Sequence, residues 1–114
     1  ADPRAVDAWR AAGAKVETIP PSAEGVDLAA TLELLARHDV LQALVEGGST
    51  VHGALVRAGL ADGLVAYVAP MLLGDRAHPL AGGLSPALAD APRFRMESAT
   101  LVGADVRLEL TREG

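Results

Sequence analysis

Two stretches of this chain repeat their apolar residues with a helical period, and one repeats them at every second position. Leu28, Thr31, Leu32 and Leu35 fall at i, i+3, i+4 and i+7, as do Val51, Ala54, Leu55 and Ala58. That spacing places each set on one face of an α-helix. Asp27 stands where an N-cap belongs for the first helix, and His38-Asp39 ends it. Ser49 or Thr50 is the expected cap of the second, and Gly59 its stop. Val106, Leu108 and Leu110 alternate instead with Asp105, Arg107 and Glu109, the pattern of a half-buried strand. A further helix is expected after Asp2-Pro3, an N-cap followed by proline at the first helical position, with its stop at Gly13.

Short strand candidates separate these helices. Val16–Ile19, Leu41–Val45 and Leu64–Ala69 each read as a strand, giving the order strand, helix, strand, helix, strand. Such alternation predicts a parallel sheet with right-handed crossovers. Ser22 to Gly25 reads as loop. Residues 71–92 are punctuated by Gly74, Pro79, Gly82-Gly83 and Pro86, so a long loop is expected there, with one short helical turn near Ala87–Ala89. Phe94–Val102 and Asp105–Thr111 then form a hairpin around Gly103-Ala104. The expected class is α/β: a parallel strand–helix–strand core followed by a C-terminal antiparallel hairpin, in one domain over 1–114.

Composition narrows the function. The net charge is −5, with one lysine, Lys15, and scattered arginines. Phosphate backbones need clustered cations, so no nucleic-acid partner is expected. There are no cysteines, which excludes disulfides and thiolate zinc sites. His38, His52 and His78 lack metal spacing and are expected to be structural or solvated. No apolar run is long enough for a membrane span. No signal peptide is visible, and the cytoplasm is the default location. One Trp, one Tyr and one Phe leave an aliphatic core, with Trp9 as a packing residue. Arg57 reads as solvated, whereas Arg76 and His78 are candidates for an anion contact.

The chemistry concentrates in Val45-Glu46-Gly47-Gly48-Ser49-Thr50, where an apolar run meets a helix. A helix N-terminus presents unpaired N–H groups and a positive dipole end. Two glycines admit close backbone approach, and Ser49 and Thr50 add hydroxyls. These parts suit a phosphate or pyrophosphate, although Gly-Gly at such a junction is equally an ordinary tight turn. No Gly-Lys-Ser/Thr and no G-x-G-x-x-G is present, so neither the P-loop nor the Rossmann fingerprint applies. Glu46 would repel phosphates if turned towards them. A substrate hydroxyl or amine is its fitting partner; a solvated or salt-bridged carboxylate is the other reading.

The stretch from Leu44 to Asp62, with Glu46-Gly47-Gly48-Ser49-Thr50 and Ala58-Gly59-Leu60, closely resembles the C-terminal reductase domain of the bifunctional riboflavin-biosynthesis deaminase-reductases. Ala69-Pro70, Leu72-Leu73-Gly74, Ala81-Gly82-Gly83-Leu84 and Gly103-Ala104-Asp105-Val106 extend the resemblance. It is specific over 44–84 and looser over the rest of 10–112. It implies a dihydrofolate-reductase-like fold. It also implies an NADPH-dependent oxidoreductase that reduces the ribosyl group of 5-amino-6-ribosylaminouracil 5′-phosphate to a ribityl chain. Gly47, Gly48, Ser49 and Thr50 would then line the NADPH phosphate site, and Glu46 would face the substrate; no catalytic residue is assigned. Zinc deamination is not expected, since its signature requires cysteine. In such reductases further strands precede this segment, so these 114 residues alone are expected to be inactive and to form a homodimer or other homo-oligomer. Two competing readings are another dihydrofolate-reductase-like NADPH reductase and a non-catalytic dimerisation module.

Overall fold

Helix α1 spans Pro3–Ala11 and starts where the sequence indicates: the Asp2 carboxylate accepts from the Arg4 N–H, and Pro3 occupies the first turn. The computed structural model describes residues 2–23, 25–85 and 87–113. Glu24 of the expected loop and Pro86 of the expected punctuation lie outside them. The chain divides into two compact units, Ala1–Ala43 and Leu44–Gly114.

In the first unit, α1 stops at Gly13, whose φ of 88° suits a residue without a Cβ. Trp9 is 52% exposed and not the packing residue expected of it, because α1 carries few apolar neighbours on its face. Val16–Ile19 forms no ladder. A two-residue hairpin follows instead, β1 (Pro21–Ser22) against β2 (Gly25–Val26). Helix α2 (Leu28–Arg37) is capped by Asp27, whose carboxylate accepts from the Ala30 N–H at 2.9 Å. At its far end His38 takes a structural place. The Lys15 ammonium lies 3.0 Å from His38 Nδ1, and Glu17 lies 3.4 Å from Nε2.

The second unit holds helix α3 (Ser49–Arg57) and strands β3 (Gly63–Val68), β4 (Phe94–Val102) and β5 (Asp105–Arg112). The strand order is β3-β5-β4, with both pairings antiparallel. The C-terminal hairpin therefore stands as expected, turning at Gly103 with φ 63°. The long loop also stands, with one 3-10 turn at Leu88–Asp90. The parallel strand–helix–strand core does not: among the described residues every ladder is antiparallel. A run apolar on both faces does not name its partner. Leu41–Val45 finds none and is not buried, with Leu41 99% and Leu44 79% exposed, and β3 pairs with β5.

Register explains the alternating pattern. Leu64, Ala66 and Val68 lie opposite Leu110, Leu108 and Val106, which in turn lie opposite Met96, Ala99 and Leu101. Paired residues share a face, so one side of the sheet is apolar from Val106 to Leu110, with Arg112 at its end. The other carries Arg107, Glu109, Thr111, Arg95 and Thr100. A bulge between Met96 and Ser98 resets the register of β4. Leu55 of α3 is the buried large hydrophobic residue. No helix among the described residues is long and apolar enough to cross a membrane.

Candidate nucleotide-binding site

The Glu46–Thr50 junction takes its shape from two consecutive glycines. Gly47 has φ 78° and Gly48 has φ 88°, conformations that cost residues with a Cβ. Gly48, not Ser49 or Thr50, is the N-cap of α3; Ser49 is already helical. Unlike the caps of α1 and α2, Gly48 offers no side-chain oxygen to the first turn. Among the described residues the N–H groups of Ser49, Thr50 and Val51 have no acceptor. Such a helix end favours an anion. Glu46 is exposed beside it, and its carboxylate takes no hydrogen bond from the described residues.

A second segment lies along the same helix. The Gly82 N–H donates to the Ser49 carbonyl at 2.8 Å. Gly53, on the second turn of α3, makes this approach possible. A Cβ there would overlap the Gly82 carbonyl oxygen and lie 2.8 Å from its carbon. Arg57 then donates from Nη1 to the Gly82 and Gly83 carbonyls at 3.0 and 3.1 Å. The expectation of a merely solvated Arg57 is thus corrected: its guanidinium reaches back over the loop, whose carbonyls turn towards the helix. His52 contacts two further carbonyls, Leu80 at 3.1 Å from Nδ1 and Val45 at 3.3 Å from Nε2. The sequence did not single out this docked loop as part of the site. Its signal was the pair of small residues, Gly53 on a helix and Gly82 in a loop, that permits close backbone contact. Arg76 and His78 make no side-chain hydrogen bond among the described residues, and nothing brings them to the junction.

Elsewhere in this unit Val56, Arg57, Leu84, Ser85, Asp90, Pro92 and Arg112 line an open groove of about 420 Å³. It adjoins the C-terminal end of α3, away from Gly48, and is shallow.

The likeness to known proteins runs along most of the chain. The family model described as the RibD C-terminal domain matches residues 5–108. The chain belongs to the RibD C-terminal domain family. Within it, the riboflavin biosynthesis protein RibD of Escherichia coli K12 is 42% identical over 94 residues, covering 81% of this chain and 25% of that protein. RibD of Bacillus amyloliquefaciens is 33% identical over 109 residues, covering 94% and 29%. The 2,5-diamino-6-ribosylamino-4(3H)-pyrimidinone 5′-phosphate reductase of Methanothermobacter thermautotrophicus is 31% identical, covering 88% and 47%. A solved RibD of Acinetobacter baumannii superposes with a TM-score of 0.70 at 28% identity, covering 79% of this chain and 26% of that one. The fold is accordingly the mixed α/β, dihydrofolate-reductase-like one. The chain spans about a quarter of the length of these RibD relatives.

Proposed function

We propose that this segment forms the nucleotide-phosphate side of an NADPH-dependent reductase acting in riboflavin biosynthesis. The reaction is reduction of the ribosyl group of 5-amino-6-ribosylaminouracil 5′-phosphate to a ribityl chain. The observation that carries this reading is the uncapped N-terminus of α3, entered through Gly47 and Gly48 with positive φ. Such an end leaves N–H groups for the phosphates of a dinucleotide. Membership of the RibD C-terminal domain family and likeness to a pyrimidinone phosphate reductase support it.

Each residue has a distinct part. Gly47 and Gly48 keep Cβ atoms out of the phosphates' path. The backbone of Ser49 and Thr50 donates to phosphate oxygens, and their hydroxyls add two donors. Glu46, exposed and next to this positive end, orients a hydroxyl or amine of the pyrimidine substrate. The bound nicotinamide supplies the hydride. The protein contributes alignment of donor and acceptor, since a misplaced pair reacts slowly whatever its chemistry.

One observation favours a second substrate. The Methanothermobacter relative is named for a diaminopyrimidinone, so the 2,5-diamino compound is the competitor to the aminouracil. The working form is a cytoplasmic homodimer of the full natural chain. The half-exposed apolar face of the sheet, with Val68, Met96 and Leu101 at 50%, 57% and 76% exposure, supports assembly.

The test is turnover by the full natural chain, followed by loss of reduced-nicotinamide absorbance with each pyrimidine and with NADPH or NADH. Oxidation of NADPH in preference to NADH, dependent on the aminouracil phosphate, is expected. No oxidation with either pyrimidine would overturn the reading.

A further inference from the structure

We propose that His52 is a positioning residue that clamps the two walls of the nucleotide junction, an inference that rests on reading Gly47–Thr50 as a nucleotide-phosphate site. The imidazole is half-buried and stands on the first turn of α3. Nδ1 lies 3.1 Å from the Leu80 carbonyl oxygen and Nε2 lies 3.3 Å from the Val45 carbonyl oxygen. Both partners are acceptors, so each contact requires an N–H on the ring. A neutral imidazole donates to one of them at a time; the imidazolium donates to both.

The two carbonyls belong to the two segments that frame the helix end. Val45 immediately precedes Glu46 and the glycine pair. Leu80 leads into the loop that docks Gly82 on Ser49. Other fasteners of that loop, the Gly82 N–H, Arg57 and the glycine contact at Gly53, tie it to α3. His52 contacts a carbonyl of each segment and so ties both to the helix. The junction needs such a tie, because consecutive glycines lose more conformational freedom on ordering than any other pair. A site ordered before the ligand arrives binds it more tightly than one ordered by it. His52 therefore acts on nucleotide affinity rather than on the reacting atoms.

The experiment uses the full natural chain with His52→Leu, which removes both ring nitrogens, and His52→Gln, whose amide NH₂ serves one carbonyl. Steady-state kinetics with NADPH and the aminouracil phosphate are read beside thermal melting. His52→Leu is expected to raise the KM for NADPH about tenfold, the worth of one or two lost hydrogen bonds. The pyrimidine KM should stay within about twofold, and His52→Gln should recover part of the NADPH effect. An unchanged NADPH KM in His52→Leu would overturn the clamp, as would a lowered melting temperature with both KM values unchanged. Should His52→Leu fail to fold, His52→Gln decides: a rise in NADPH KM of about threefold supports the clamp and no rise overturns it. Gly48→Val separates the two levels. If it weakens nucleotide binding while His52 variants do not, the clamp alone fails; if it too leaves binding unchanged, the site reading fails with it.

Discussion

Single atoms decide much in the second unit. Gly53 matters because it has no Cβ: a methyl group there would overlap the Gly82 carbonyl. Neither side can yield cheaply, since one is helix backbone and the other a loop tied to Ser49 by its N–H. Gly53→Ala should therefore destabilise the fold by about 1–3 kcal/mol, the usual range for overpacking. Chemical denaturation checks this, and an unchanged midpoint would mean that the loop does not rest on α3. Glu46 has the opposite character, being exposed and free of hydrogen bonds from the described residues. Glu46→Gln in the full natural chain should leave melting temperature and NADPH affinity nearly intact while lowering turnover. Parallel losses of melting temperature and activity would mark it as a structural carboxylate.

At the scale of elements, the bulge in β4 sets up a pH dependence. Glu97 sits between Met96 and Ser98, and Arg95 donates to it from Nε at 3.0 Å and Nη2 at 2.7 Å. Hydrogen bonds from Arg95 and then from Thr111, followed by the Arg95 charge, hold the Glu97 carboxyl below its ordinary pKa. A depressed folded-state pKa contributes stability above the ordinary carboxylate range and loses it as the pH falls through the folded value. The pair is exposed, so the contribution is small and falls with salt. Glu97→Gln should flatten the acid limb of stability against pH, read as denaturation midpoints at several pH values; an unaltered acid limb would remove the pair from the account. Helix starts at Asp2 and Asp27 and the hairpin turn at Gly103 were legible because cap, period and turn are local signals. At the Glu46–Thr50 junction the start of α3 was legible for the same reason to within a residue or two, but the strand expected to lead into it was not. Nor was pairing. Val16–Ile19 and Leu41–Val45 are apolar enough for strands, yet a ladder depends on a neighbour that no short window contains. The docking role of Arg57 was hidden likewise, as was the His52 contact with Leu80, since those carbonyl partners lie 25 to 28 positions away in sequence.

Across the whole molecule, apolar surface and the Glu46–Thr50 junction make separate demands. The sheet face built from β3, β5 and β4 carries apolar residues in all three strands, and Val68, Met96 and Leu101 on it are half-exposed or more. Patches of that kind favour association. Sedimentation of the full natural chain at micromolar concentration should show a homo-oligomer, and a single monomeric species would count against the assembly. The central claim is that the N-terminus of α3 receives the phosphates of NADPH. Gly48 has φ 88°, and Val51 Cγ2, at 4.0 Å, lies nearest to where its Cβ would stand, so a larger residue there is strained and would stand in the path of a bound phosphate. Titration of the full natural chain with NADPH, wild type against Gly48→Val, tests this most directly. The account expects the variant to stay folded and bind NADPH at least about tenfold more weakly, about 1.4 kcal/mol of binding free energy; equal affinity in a folded variant would contradict it.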